Sequence, residues 1–65
     1  DPIRLVEYLR LPEEGVDIEA LLLRIERRFL ELAMERARNS KQEAAKLLGL
    51  SLRSLRYRLG KHGLL

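Results

Sequence analysis

The chain has 65 residues, no cysteine and a single histidine, His62. That excludes a disulfide framework, a thiolate metal site and a multi-histidine metal site within one chain. The net charge is +3, and a domain this short buries only about 60% of the surface its unfolded chain exposes, so reinforcement by oligomerisation is expected.

No apolar run approaches the roughly 20 residues needed to span a bilayer, and no signal peptide is visible. The chain starts at Asp1 without a methionine and is expected to be a domain excised from something longer, or a processed product. A cytoplasmic location is expected.

Residues 1–16 read as a linker or N-terminal segment. Asp1-Pro2 can cap a short helix with proline at its first position, while the partial alternation of Ile3, Leu5 and Leu9 also supports an extended form. Pro12 ends either one, and Glu13-Glu14-Gly15 is polar loop.

Asp17 is a good N-cap, and Glu19 follows in the first turn, where a negative charge suits the helix dipole. Residues 17–38 hold no glycine or proline and are dominated by Leu, Arg, Glu and Ala, so a long helix is expected there. Its apolar positions form two stripes. Ile18, Leu21, Leu22, Ile25, Phe29, Leu32 and Ala33 make one, and Leu23, Leu30, Met34 and Ala37 make the other. Together they span roughly 220° of the circumference, twice what a one-sided surface helix needs. The rest of the chain can cover one stripe. A second copy packing on Leu23, Leu30, Met34 and Ala37 is the economical cover for the other, giving a homodimer. The alternative is that residues 1–11 fold back over them.

Asn39 tolerates the left-handed conformation and can end the long helix. Ser40 can cap the next, and Glu43 three residues later completes a capping box. A short helix over 41–48 carries Ala44, Ala45 and Leu48 on one face. Gly49 turns the chain and Ser51 caps a second short helix over 52–60, with Leu55 and Leu59 on its inner face. Gly60 and Gly63 are both candidate stops, and Leu64-Leu65 can return to the core. The fold class is therefore all-α, a long helix followed by a helix-turn-helix.

Residues 39–65 carry six basic side chains against one acidic, a net +5, whereas residues 1–38 carry seven basic against nine acidic, a net −2. Positive charge concentrated on the helix-turn-helix is the footprint of a phosphate-backbone binder, so double-stranded DNA is the expected partner. Arg53, Arg56 and Tyr57 lie away from Leu55 and Leu59 and can reach base edges in the major groove; Leu52 can meet a thymine methyl or join the core. Ser51 and Ser54 can donate to phosphates, and Lys41 and Gln42 open a helix whose N–H groups suit an anion. Arg58 lies toward the back and reads as a solvated side chain, and His62 as a surface residue near a helix end. No nucleophile–base grouping, glycine-rich phosphate loop or paired-carboxylate site is present, so no catalytic, cofactor or metal role is expected.

Residues 17–65 resemble the C-terminal Fis-type helix-turn-helix domain of bacterial sigma-54-dependent activators, the nitrogen regulatory protein C group. The resemblance rests on Glu26-Arg27, the long helix, Ala44-Ala45, Leu48-Gly49-Leu50 and Leu55-Arg56-Tyr57-Arg58-Leu59, and GLSLRSLRYRL is similar to the pilin-regulator branch. It implies a homodimer held by the long helices, binding palindromic enhancer DNA. Base-reading positions of the family fall on Leu52, Arg53, Arg56 and Tyr57, and phosphate positions on Ser40, Gln42, Ser51 and Ser54. An ATPase domain, often with a two-component receiver, would precede it in a parent protein. Where lysine is common in the family this chain has Gly60, which implies an early end to the second short helix. A non-specific DNA-bending nucleoid protein and a helical docking module that binds no DNA are the competing readings.

Overall fold

The computed structural model describes residues 1–65 as α1 (Pro2–Val6), α2 (Ile18–Arg36), α3 (Lys41–Leu48) and α4 (Leu52–Lys61), with no strand. No helix is long and apolar enough to cross a membrane.

Of the two forms open to residues 1–11, the helix is adopted over Pro2–Val6. Asp1 Oδ1 accepts the Ile3 N–H at 3.0 Å, and Pro2 stands in the first turn, where its missing N–H costs nothing. Residues 1–11 all stay exposed; Pro2 and Leu5 face Phe29 and Leu32 of the first stripe across a groove and do not cover Leu23, Leu30, Met34 or Ala37.

Asp17 caps α2 by accepting the Ala20 N–H at 3.1 Å. The helix ends at Arg36, two residues short of the expected Arg38. Its closure is a Schellman motif: the Arg38 N–H bonds to the Glu35 carbonyl at 3.1 Å and the Asn39 N–H to the Met34 carbonyl at 2.9 Å. The first left-handed residue is therefore Arg38 (φ 52), with Asn39 (φ 67) second, not first as the sequence suggests. Two successive left-handed residues turn the chain back so that α3 lies on α2.

Ser40 Oγ accepts the Glu43 N–H at 3.3 Å, but the reciprocal half of the expected capping box does not form. The Ser40 N–H bonds instead to the Ala37 carbonyl at 3.0 Å, and the Glu43 carboxylate lies 3.6 Å from Lys46 Nζ. The tight turn out of α2 has already satisfied the donor that Glu43 would have served. Gly49 (φ 67) ends α3 with the Leu50 N–H on the Ala45 carbonyl at 2.9 Å. Ser51 then caps α4 through the Ser54 N–H at 3.1 Å.

α4 does not stop early at Gly60. It runs to Lys61, and Gly63 (φ 69) closes it with the Leu64 N–H on the Leu59 carbonyl at 2.8 Å. Gly60 keeps helical geometry, and a Cβ there would sit 3.3 Å from Leu65 Cδ1, so its lack of side chain admits the returning terminus.

Six side chains form the core: Leu30 and Ala33 of α2, Ala44 and Ala45 of α3, Leu55 and Leu59 of α4. The two alanines let α3 lie close to α2, and Met34, Ala37, Leu48, Leu50 and Leu64 close the margins. Apart from Ala33, which joins the core from the first stripe, this reverses the expected use of the two stripes. Leu30 is 1% exposed, and Met34 and Ala37 pack against the same core, so the stripe expected to meet a second copy is spent within the chain; only Leu23 of that set stays exposed. The physical reason is the connection. The double left-handed turn at Arg38-Asn39 returns α3 along the Leu30–Ala37 side, one stripe over from that expected. Ile18, Leu21, Leu22, Ile25, Phe29 and Leu32 are left exposed. A groove of about 510 Å³ runs between Phe29, Leu32 and Leu47 on one side and Pro2 and Leu5 of α1 on the other.

Candidate nucleic-acid interface

The inner face of α4 is set by Leu55 and Leu59, both 0% exposed. At 100° per residue, that directs Arg53, Arg56 and Tyr57 outward, and all three are exposed. Leu52, half-buried, lies on the inner side, about 20° around the helix from Leu59. Lys61 Nζ stands 5.9 Å from the centroid of the Tyr57 ring.

The expected phosphate-facing groups divide. Ser40, Ser51 and Ser54 have their oxygens engaged as acceptors, the first two as helix caps and Ser54 from Arg58 Nε at 3.1 Å. Each hydroxyl hydrogen is still free to donate. Gln42 is exposed and Lys41 half-buried at the start of α3. The two groups thus flank the turn, with α3's N-terminus on one side and the outer face of α4 on the other.

Two residues do not sit as the sequence suggests. Arg58 is not a free solvated side chain: its Nη1 lies 3.2 Å from Glu26 Oε2 of α2, and its Nε donates to Ser54. Nor is the His62 imidazole a surface group. Its side chain is 8% exposed, with Nε2 at 3.3 Å from Glu26 Oε1. Lys61 Nζ completes the set, 3.2 Å from Glu26 Oε1. The next residue of α2 adds a second link: Arg27 Nη1 donates to the His62 carbonyl at 2.7 Å, capping the C-terminus of α4, and its Nε lies 3.5 Å from Glu31 Oε2 one turn on. Partial burial alone would raise the Glu26 pKa, but the hydrogen bond and charge of Lys61, the charge of Arg58 and the His62 contact outweigh it and hold the carboxyl below its ordinary value.

Sequence reasoning missed this cluster as a unit. A signal was present: Glu26 precedes Leu30 by four and Ala33 by seven, so a lone carboxylate continues the core-facing stripe, opposite the basic end of α4. No group of three or more His, Cys, Asp or Glu side chains converges to hold a metal ion.

A short helix with two buried alanines, a glycine turn, an outward arginine-bearing helix and a long helix behind them are the geometry of a helix-turn-helix reader. No curated protein and no solved structure matches the chain. The model of the family described as bacterial regulatory protein, Fis family, matches residues 22–62, which take in most of α2 and all of α3 and α4. On that match over more than half its length, the chain belongs to the Fis family of bacterial regulatory proteins, with its helix-turn-helix DNA-binding unit at α3–α4.

Proposed function

We propose that this chain binds double-stranded DNA sequence-specifically as a homodimer, each copy placing α4 in the major groove of one half of a palindromic site. The observation that carries the reading is the division of α4: Leu55 and Leu59 are fully buried while Arg53, Arg56 and Tyr57 face outward from a rigid helix. Arginine there can pair bidentately with guanine O6 and N7, and Tyr57 can meet a phosphate or a thymine methyl. Lys41, Gln42 and the serine hydroxyls hold the backbone and so fix the register.

The dimer face in this proposal is the exposed stripe of α2, with Leu22, Ile25, Phe29 and Leu32 at its centre. These side chains form a contiguous apolar surface on one helix, the kind that a second copy covers about a twofold axis. The sigma-54-dependent activator context rests on the resemblance of residues 17–65 and belongs to the same proposal, as does the position of residues 1–16 as the junction to a preceding domain.

Titrating the chain against duplex DNA in rising salt tests the binding. A steep loss of affinity with salt is expected, because neutralised phosphates release counterions. A flat response, or no binding at low salt, rejects DNA as the partner and leaves the docking-module reading. Equal affinity for all sequences favours the non-specific DNA-bending reading.

A further inference from the structure

The C-terminal turn of α4 meets α2 through charged and polar contacts gathered at a single point. The Glu26 carboxylate lies 3.2 Å from Arg58 Nη1, 3.2 Å from Lys61 Nζ and 3.3 Å from His62 Nε2; of the three only Lys61 donates it a hydrogen bond, to Oε2 at 3.5 Å, and the adjacent Arg27 donates to the His62 carbonyl at 2.7 Å. Elsewhere the two helices meet through leucines and alanines. Apolar packing fixes how close two helices lie but is non-directional, whereas the charge-assisted hydrogen bonds of Arg27 and Lys61 constrain angle and the Arg58 charge adds attraction at the same point. The clamp lies at one end of α4, where its leverage on tilt is greatest. A helix of ten residues is about 15 Å long, so a tilt of about 10° swings its far end by about 2–3 Å, close to the roughly 3.4 Å rise of one base pair.

We propose that Glu26 is a positioning residue: by gathering Arg58, Lys61 and His62 it sets the tilt of α4 against α2, and through α2 the half-site spacing that the dimer accepts. This rests on the dimeric DNA-binding reading above. Glu26 touches no DNA in this scheme; its Arg58 and Lys61 partners are withheld from phosphates and used to orient the helix that reads.

The test uses a half-site selected by the wild-type chain from a pool of random-sequence duplexes. It is rebuilt as inverted repeats whose centre-to-centre spacing is stepped in single base pairs, and as an isolated half-site. The wild type is expected to show a sharp optimum near one helical turn or a multiple of it. Glu26→Gln is expected to flatten that profile, narrowing the gap between best and worst spacing by about tenfold while affinity for the isolated half-site moves less than about twofold. A loss of fold stability alone lowers affinity equally at every spacing, so an unchanged profile in Glu26→Gln overturns the proposal. Should Glu26→Gln fail to fold by circular dichroism, Arg58→Gln removes a single arm of the clamp at a partly exposed site, and the same flattening is expected of it, with an unchanged profile again overturning the proposal. A wild type indifferent to spacing rejects the dimeric reading itself, and the role of Glu26 falls with it.

Discussion

Arg27 of α2 and His62 at the end of α4 are joined by a 2.7 Å hydrogen bond from the Arg27 guanidinium to the His62 carbonyl, across 35 residues of sequence. A charged donor on a carbonyl left over at a helix C-terminus satisfies the group and complements the dipole. Arg27→Ala is expected to destabilise the fold by about 1 kcal/mol, the usual charge-assisted value reduced for partial exposure. Thermal unfolding followed by circular dichroism measures it, and hydrogen exchange should show faster opening confined to the last turn of α4.

Stability should fall in acid through Glu26. Its folded-state pKa is depressed, so its stabilisation is complete above the ordinary glutamate value of about 4.3 and is lost as pH falls through the lower folded value. The acid limb of the unfolding midpoint against pH should therefore be shallower in Glu26→Gln than in wild type. Parallel limbs would show that the clamp contributes nothing to the acid response.

Arg38 carries a left-handed backbone that β-carbon sterics disfavour. Arg38→Gly is expected to stabilise the chain by about 0.5–1 kcal/mol, because relief of that strain exceeds the added chain entropy of glycine. In a domain of this size, that corresponds to a rise of about 2–8 °C in the unfolding midpoint.

The two apolar stripes of α2 should respond differently to substitution. Phe29→Glu is expected to give a folded monomer in sedimentation, because Phe29 is exposed on the proposed dimer face. Leu30→Ala should instead cost about 2–5 kcal/mol, enough to unfold much of a domain this small. A wild-type chain that sediments as a monomer at high concentration would remove the dimer.

On DNA, Arg53→Ala should lose about 1–3 kcal/mol at one base pair and relax sequence preference there. Equal weakening on every sequence would make Arg53 a phosphate contact. A competition series with single base-pair changes separates the two.

Much of this molecule was legible because its signals are local. Asp17, Ser40 and Ser51 cap the helices they precede, Gly49 turns the chain, and the spacing of Leu55 and Leu59 sets which side of α4 is outside. Where two local candidates competed, the sequence did not rank them. Gly60 and Gly63 can both end a helix, and only the return of Leu65 against Gly60 leaves the stop to Gly63. Ser40 and Glu43 have the spacing of a capping box, yet the Ser40 N–H was taken by Ala37 once the α2–α3 turn closed.

The sequence by itself determined four things: an all-α chain, the bounds of α3 and the start of α4, the basic outer face of α4, and an excess of apolar surface on α2. Each follows from periodicity, capping chemistry or charge, which act within a few residues. The tertiary structure alone decided which stripe of α2 is core and which is exposed, and that Glu26, Arg58, Lys61 and His62 form one cluster. Those outcomes depend on the direction in which Arg38 and Asn39 turn the chain. A rotation of one stripe there exchanges the buried and exposed faces of α2 without altering a single local propensity.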